Sequence, residues 1–247
     1  ELHLQIVQHE LEDSGLEIET SEPLVVYRES IRAESETLEG KSPNRHNRLK
    51  FKVEPLEPEV VEALDNGEIT NKQNQKERAK KLRELGWDTR AARNVIAVEG
   101  ENILADNTKG IQYLREIEEY MADAFENSMN EGPLMDEPVR GVKVLLEDAK
   151  LHEDTIHRGP AQIMPATRKA VHAAMLVAEP TVLEPFLKVE VRTPQEFLGN
   201  VTQVIQGRRG QVKSIESEEE LAIVDSSIPV AESFGLSADL RSATEGR

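Results

Sequence analysis

The sequence has no cysteine, few aromatic residues and no long apolar run. Without cysteine the chain cannot form disulfides, thiolate metal sites or a cysteine nucleophile. An apolar run of about 18 residues would indicate a membrane-spanning helix, and none occurs. The glycine-rich phosphate loop and the dinucleotide-binding glycine turn are also absent. Because only 4% of the residues are aromatic, we expect an aliphatic core, and we expect no nucleotide site within this chain.

The charge is strongly negative overall but is unevenly distributed. The 247 residues include 30 Lys and Arg against 47 Asp and Glu, which gives a net charge of −17 and disfavours indiscriminate binding to polyanions. Three segments nevertheless lack acids: residues 41–52, residues 155–169 and the turn at residues 207–210. A charged run is usually a solvated surface. Isolated positive segments on an acidic background instead favour docking on phosphates at defined places.

A basic hairpin is the main feature of the first third of the chain. A strand is predicted from residue 24 towards residue 38, and the alternation in residues 49–53 is typical of a returning arm. Arms of about nine residues would hold the loop at residues 41–48 about 30 Å from the hairpin base. The sequence therefore predicts a basic loop on a long arm.

Helical and strand patterns surround this hairpin. Glu1 already lies in a helical pattern, and we therefore expect the chain to be part of a longer polypeptide. The remaining predictions are a helix at residues 2–11, a strand at 16–20, helical pieces over 57–94, a helix at 109–129 capped by residue 107 or 108, a strand at 141–146, a loop at 152–160 and a buried helix at 168–178 capped by Thr167.

The pattern changes at residue 184. From there the order β-α-β-β-α predicts a ferredoxin-like split βαβ unit without its last strand. Thr193 and Glu196 have the spacing of a capping box with Pro194 at the first helical position. The fold class is therefore α+β, with domains predicted at residues 1–22, 23–182 and 183–247. The missing strand would leave an unpaired sheet edge.

Few residues suggest chemistry by spacing alone. His152, Asp154 and His157 are one possible set of metal ligands, although no further ligands cluster in this segment and the loop that follows is basic, which would repel a cation. His172, on a buried helix, is more consistent with a core residue. His46 carries little signal by itself. A metal-dependent hydrolase using the first three residues therefore remains an alternative, but a remote one.

Five segments resemble the archaeal elongation factor 2 family, and together they extend over essentially the whole chain. They are residues 1–4 (ELHL), 42–48 (SPNRHNR), 107–114 (NTKGIQYL), 151–163 (LHEDTIHRGPAQI) and 232–244 (ESFGLSADLRSAT). The second segment has Arg45 where the family commonly has Lys. The resemblance implies the end of domain III, then domain IV with a β-α-β fold like that of ribosomal proteins plus the long hairpin, then a truncated domain V. The GTPase domain, the second domain and most of domain III have no counterpart here.

The resemblance implies the C-terminal, ribosome-contacting part of a GTP-dependent factor that promotes tRNA–mRNA translocation. GTP and Mg²⁺ would bind in the GTPase domain, so we expect no cofactor, no metal and no catalytic residue in this chain. The resemblance implies a parent factor that is a GTPase, and whether this chain alone is an enzyme stays open. We expect a cytoplasmic protein that binds no membrane. Its partners would be the rRNA of the decoding region and of the stalk base, and the tRNA–mRNA duplex.

The family's diphthamide histidine falls on His157. Diphthamide-synthesis enzymes and ADP-ribosylating toxins would then be further partners. Residues expected to contact RNA or the ribosome are Arg45, His46, Asn47, Arg48, His152, Asp154 and Arg158 in the two basic loops, and Arg208 and Arg209 in domain V. We expect the two loops, residues 41–48 and 152–160, to lie together at one end of the first large domain. A free-standing RNA-binding module with the same loops is the principal alternative.

Overall fold

The computed structural model describes residues 2–19, 21, 23–218 and 220–246, in which helices and strands are mixed. The strands are β1 (Arg28–Ile31), β2 (Leu38–Lys41), β3 (Arg48–Pro55), β4 (Val95–Glu99), β5 (Asn102–Asp106), β6 (Val142–Lys150), β7 (Pro180–Leu183), β8 (Phe186–Pro194), β9 (Gln211–Glu218) and β10 (Leu221–Pro229). The helices are α1 (Leu2–Asp13), α2 (Pro58–Asp65), α3 (Gln75–Glu84), α4 (Thr89–Arg93), α5 (Glu118–Asn130), α6 (Pro160–Val177), α7 (Leu198–Gly207), α8 (Val230–Ser233) and α9 (Leu236–Ala243).

Two compact units divide the chain. One comprises residues 27–187, and the other comprises residues 1–26 together with residues 188–247. The predicted boundaries at residues 23 and 183 lie a few residues away from these. Among the helices of the described ranges, none combines the length and apolar character needed to cross a membrane.

A five-stranded sheet forms the centre of the unit at residues 27–187, with strand order β2-β3-β6-β5-β4. Its pairs are antiparallel except β5 with β6. Leu49, Phe51 and Val53 on β3 are fully buried on one face, beneath α5 and α6. The other face is covered by α2, α3 and α4 through a second aliphatic cluster that includes Trp87. Helices therefore cover both faces of the sheet. Burying apolar side chains on both faces stabilises the sheet, because this burial is the main favourable term in folding.

Close packing between β2 and α6 depends on a glycine. A Cβ placed on Gly40 would lie 2.0 Å from the carbonyl oxygen of Ala166 and 3.0 Å from the Cβ of Ala170. Small residues on both elements therefore allow β2 to press directly against α6. This contact holds β2 against α6 just before the loop at residues 41–48.

The hairpin is shorter than predicted. The strand expected over residues 24–38 is two strands in different sheets, because β1 pairs with β7 whereas β2 pairs with β3. With four residues in β2, the shorter arm extends only about 13 Å at 3.3 Å per residue. The prediction of a loop about 30 Å from its base is wrong, and the length of the neighbouring strand β6 supports the loop instead.

Several other element boundaries differ from the sequence expectation. The strand predicted at residues 16–20 is wrong for residues 16–19, which have no strand partner among the described residues, and residue 20 lies outside them. Strands β4 and β5 were not predicted. The helix α5 begins at Glu118 rather than at residue 109, and α6 begins at Pro160, which leaves Thr167 buried in the helix interior instead of capping it.

The segment at residues 188–246 contains the predicted β-α-β-β-α order. Its sheet has the strand order β8-β10-β9, and α7 and α9 pack on it around Val201, Ile205 and Val224. The ferredoxin-like arrangement and the α+β class are confirmed. Within the described residues no strand pairs with the outer edge of β8. The predicted capping box at Thr193 and Glu196 is wrong, because Thr193 belongs to β8. In the described part of the chain, the buried Thr193 hydroxyl has no hydrogen-bond partner. No side chain there caps the turn that follows.

Candidate functional site

Two loops meet at one end of the five-stranded sheet, as predicted. We call them the tip: loop A is residues 41–48, between β2 and β3, and loop B is residues 151–159, between β6 and α6. The cause is the antiparallel pairing of β3 with β6, in which Arg48 lies opposite Lys150. The start of β3 and the end of β6 therefore share one edge of the sheet, and the loops attached there are forced together.

Asparagine side chains join the two loops. The Asn47 amide donates from Nδ2 to the His157 carbonyl oxygen at 2.7 Å and accepts at Oδ1 from the His152 backbone N–H at 3.0 Å. Asn44 donates from Nδ2 to the same His157 carbonyl at 3.1 Å, and its backbone N–H donates to Gln162 Oε1 at 2.9 Å. Each bond satisfies a backbone group that would otherwise be unpaired near the core. The loops therefore form one rigid structure.

Loop A is closed by its own hydrogen bonds. The Ser42 backbone N–H donates to the Asn47 carbonyl at 3.0 Å, and the Arg45 N–H donates to the Ser42 carbonyl at 2.8 Å. Arg45 has a left-handed backbone, with φ of 62°, which is uncommon for a residue other than glycine. This turn places the side chains of Arg45 and His46 on the exposed surface.

Two residues expected to contact RNA are instead internal. Asn47 is 0% exposed and Arg158 is 3% exposed. The Arg158 guanidinium donates to the His152 carbonyl, forms an ion pair with Glu116 and lies 4.2 Å above the centre of the Tyr113 ring. These contacts occupy both terminal nitrogens of the guanidinium, and Nε is buried, so Arg158 is not available to bind a phosphate. Asn47 and Arg158 therefore hold the two loops together from inside the tip, instead of contacting RNA as the sequence predicted.

Three imidazole rings form a cluster on the tip. The ring centres of His46, His152 and His157 are separated by 4.9, 4.8 and 4.5 Å. His46 is exposed, whereas His152 and His157 are partly exposed. The sequence predicted each of these residues as a contact residue and predicted that their loops lie together, but it did not predict a cluster of the three rings. The cluster provides hydrogen-bonding nitrogens and flat ring faces in one place.

His152 and Asp154 have local structural roles in addition. The Asp154 backbone N–H donates to His152 Nδ1 at 3.1 Å, and Asp154 Oδ1 accepts from the Ile156 N–H at 3.0 Å. This second bond caps a 3-10 turn at Thr155–Arg158. Across the described residues, no group of three or more His, Asp or Glu side chains is arranged to hold a metal ion. The geometry thus gives no support to a hydrolase built on His152, Asp154 and His157.

The charge at the tip is positive but partly compensated. Lys41 and Arg48 both approach Glu39, with N–O distances of 3.5 and 3.7 Å, and Lys50 pairs with Asp148 at 3.0 Å. These pairs are exposed, so they are weak and can exchange for another anion. Arg45, at the apex of loop A, is exposed to solvent.

The two arginines of the turn at residues 207–210 differ from one another. Arg208 donates to the Phe234 carbonyl at 2.8 Å and to Asp239 Oδ2, and its side chain is 19% exposed. Arg209 has a left-handed φ of 54°, a side chain that is 55% exposed and an ion pair with Glu232 at 3.0 Å. Of the two residues expected to contact the stalk base, Arg208 therefore fastens the turn at residues 207–210 to the segment before α9, and Arg209 is the accessible one.

Tyr113 and Glu116 were missed by the sequence reasoning. Both lie in the short segment before α5, where the Tyr113 ring stacks on the Arg158 guanidinium and Glu116 forms an ion pair with it. Tyr113 has a left-handed φ of 67°, which turns its ring towards loop B. The sequence predicted a helix at residues 109–129 that contains both residues, and residues 107–114 resemble a family segment, but neither signal indicated a role in the tip.

Comparisons with known proteins identify the family of the chain. The family described as "Elongation factor G, domain IV" matches residues 67–179, and the family described as "Elongation factor G C-terminus" matches residues 181–247. The whole chain is 52% identical to elongation factor 2 of Methanosarcina mazei, 50% identical to that of Methanococcoides burtonii and 47% identical to that of Methanopyrus kandleri. It spans 34% of the length of the first two relatives and 20% of the third. With two family matches in sequence order and this identity over the full chain, the resemblance is confirmed, and the chain belongs to the elongation factor 2 family, with an elongation factor G domain IV followed by a C-terminal domain of the same family.

Proposed function

We propose that this chain is the ribosome-contacting part of a cytoplasmic translation elongation factor, and that its tip contacts the tRNA–mRNA duplex in the decoding region during translocation. The main support for the proposal is that loops A and B form one exposed surface. The hydrogen bond from Asn47 to His157 joins them across 110 residues of sequence. The relatives' name, elongation factor 2, supports the role in translation. GTP and Mg²⁺ would act in a GTPase domain outside this chain.

The proposed RNA contacts follow from side-chain chemistry. Arg45 at the apex is suited to a phosphate, because a guanidinium binds phosphate oxygens in a bidentate manner. Arg48 would exchange its exposed pair with Glu39 for a phosphate of the duplex. The imidazoles of His46 and His152 offer donors and acceptors for ribose hydroxyls, through which the shallow minor groove of an RNA duplex is recognised.

His157 is proposed to carry diphthamide in the native host. Its carbonyl is fixed by Asn44 and Asn47 from loop A, while its ring remains partly exposed beside two other imidazoles. A modification at this ring would add a permanent positive charge and additional reach at the centre of the tip. Diphthamide-synthesis enzymes and ADP-ribosylating toxins are then proposed partners. Mass spectrometry of protein from its native host tests this, and an unmodified His157 there would overturn it.

The turn at residues 207–210 is proposed to contact the stalk base of the large ribosomal subunit. Arg209 is the residue that supports this, because its side chain is exposed and its pair with Glu232 lies at the surface. Arg208 would act indirectly, by holding the turn in place. In full-length factor, Arg209→Glu is expected to weaken ribosome binding while Arg208→Lys lowers the stability of its domain.

The central experiment measures translocation by the full-length factor carrying Arg45→Glu and Arg48→Glu. Movement of the mRNA, followed by the position of the ribosome edge on the message, is expected to slow at least tenfold, because repulsion replaces two phosphate contacts. Ribosome-stimulated GTP hydrolysis is expected to stay within twofold of the parent. Lys188→Glu with Arg241→Glu is the matched control, since both side chains are exposed on the other compact unit. Unchanged translocation in the tip variant would overturn the proposal.

A further inference from the structure

A second basic surface lies away from the tip, on the helices α3 and α4. We call it the α3–α4 surface and define it by Lys76, Arg83, Arg90 and Arg93, all of which are exposed. In the sequence these cations are separated by Glu77, Glu84 and Asp88, so they do not form one continuous basic segment. Folding brings the arginines of α4 beside the cations of α3, and the surface exists only in three dimensions.

Two shallow concavities make this surface continuous. One, of about 520 Å³, is lined by Gln75, Lys76, Ala79, Arg83, Arg93 and Asn94. The other, of about 750 Å³, is lined by Asp88, Thr89, Arg90, Arg93, Asn94 and Asn107. Arg93 and Asn94 line both concavities and form the ridge between them. The cations therefore surround one continuous groove.

The scaffold of the groove is fixed. Gln75 Nε2 donates to the Arg93 carbonyl at 2.7 Å, which ties the start of α3 to the end of α4. Beneath them, the buried Arg78 donates to the Val95 carbonyl at 3.2 Å, and Trp87 packs in the aliphatic cluster under both helices. A ligand would thus meet cations whose backbone positions are already set, which reduces the entropy lost on binding.

Three carboxylates lie near the groove. Asp88 accepts the backbone N–H groups of Arg90 and Ala91 at 2.8 and 3.3 Å, and these bonds hold the pKa of its carboxyl below the ordinary value. Glu84 lies 3.8 Å from Lys80, on α3. Glu77 is exposed on the first turn of α3. Asp88 stays ionised and lines one of the concavities, so it also opposes an anion, against the four cations that define the surface.

A neighbouring concavity limits the extent of the groove. It shares Gln75 and Asn94 with the basic concavity but is also lined by Asp106, Glu118 and Glu119. An extended polyanion lying in the groove would be repelled on this side. The positive surface is therefore bounded, which favours one orientation of a ligand over random adhesion.

We propose that the α3–α4 surface binds the sugar–phosphate backbone of an RNA duplex. Guanidinium groups match phosphate oxygens in geometry and charge. No aromatic side chain lines either concavity among the described residues, so stacking on single-stranded bases, which such sites normally use, is not provided. Polar Asn94, Asn107 and Gln75 are suited to ribose hydroxyls between phosphates. RNA binding at the α3–α4 surface does not depend on RNA contacts made by the tip.

Binding of a labelled 16-base-pair RNA duplex to the whole chain tests the proposal, with fluorescence anisotropy measured from 25 to 150 mM KCl. Lys76→Glu with Arg93→Glu is expected to weaken binding at least fivefold at the lowest salt. The slope of the logarithm of the binding constant against the logarithm of the KCl concentration should fall by about 2, because two cations no longer neutralise phosphates. Because both side chains are exposed, the fluorescence spectrum of Trp87 is expected to stay unchanged.

The control pair, Lys188→Glu with Arg241→Glu, changes the net charge by the same amount at exposed positions of the other unit. It is expected to change affinity less than twofold. Equal losses in both pairs would mean a general charge effect and would overturn the proposal, as would unchanged binding in the α3–α4 pair. Tighter binding to a polyglutamate peptide of the same charge than to RNA would also overturn it, in favour of an acidic protein partner.

A third variant separates this surface from the tip. Arg45→Glu with Arg48→Glu, measured in the same assay, removes exposed cations from loop A alone. A loss of affinity that occurs only in this tip variant would leave the proposed function standing and refute the α3–α4 site. A loss that occurs only in the α3–α4 variant would have the opposite meaning. Independent losses in both support two RNA-contacting surfaces on one domain.

Discussion

Replacing Arg158 by methionine is expected to destabilise the unit at residues 27–187 by about 2–4 kcal/mol. Hydrogen bonds of a charged group are worth about 1.5–3 kcal/mol, and Arg158 donates to the His152 carbonyl. The ion pair with Glu116 adds less, because the Glu116 side chain is 48% exposed and exposed pairs contribute about 0–1 kcal/mol. The cation–π interaction of Arg158 with the Tyr113 ring adds about 0.5–2 kcal/mol. Methionine lacks the charge but keeps an apolar contact with the ring, so only part of this free energy is lost.

Urea denaturation followed by fluorescence provides the measurement. Trp87 is the single tryptophan of the chain and lies 7% exposed in the core of the same unit, so its emission reports the unfolding of that unit. Arg45→Met is the matched control, since it removes an exposed arginine from the same tip and is expected to alter the free energy of unfolding by less than about 0.5 kcal/mol. If the two variants lose the same free energy, or if Arg158→Met loses less than the control, Arg158 is not an internal brace and the reasoning fails.

Three further predictions concern other residues. Burial lowers the pKa of His172, so the neutral ring is favoured in the folded state. The free energy of unfolding should therefore fall as the pH drops below about 6.5. Urea titrations at pH 5.5 and 7.5 should show a smaller difference for His172→Gln than for the parent. Gly40→Ala should lower the thermal midpoint markedly, because its Cβ would collide with the Ala166 carbonyl and overpacking costs about 1–3 kcal/mol; Gly199→Ala, with nothing within 4 Å, should not lower it. His157→Ala should leave the thermal midpoint nearly unchanged yet raise frameshifting by the full-length factor, and a large stability loss with normal frame maintenance would contradict the proposed role of the ring.

The elements with strong periodicity were predictable from the sequence. Alternation in residues 49–53 correctly placed a half-buried strand, and the helical pieces at residues 57–94 were found because Asn66, Gly67 and Gly86 interrupt them. The short strands β4 and β5 were not found, since five-residue apolar runs beside a glycine do not distinguish a strand from a loop. The predicted start of α6 is wrong because Thr167, a good cap by type, is buried by packing that local sequence does not encode.

The convergence of the two loops was predictable, but their internal organisation was not. Loops A and B were expected to share one end of the sheet because both were interpreted as acid-poor turns between long strands, and a duplex needs basic groups from more than one loop. Which polar residues face inward depends on partners more than 40 positions away, as for Arg158 with Glu116 and Asn47 with His157. A residue type that is usually exposed gives no local signal when it is buried by such partners. For this reason the sequence predicts RNA contacts for Asn47 and Arg158, whereas both serve the fold.

The distance in sequence between Asn47 and His157 has a consequence for synthesis of the protein. Their 110-residue separation takes a ribosome about 5–20 s to translate at roughly 5–20 residues per second. During that interval loop A has emerged without its partner, and its buried amide and basic side chains have no native contacts. The strand β6 and loop B must both be complete before the environment of His157 exists. Any enzyme that recognises the assembled tip rather than a linear segment can therefore act only after translation has passed the whole domain.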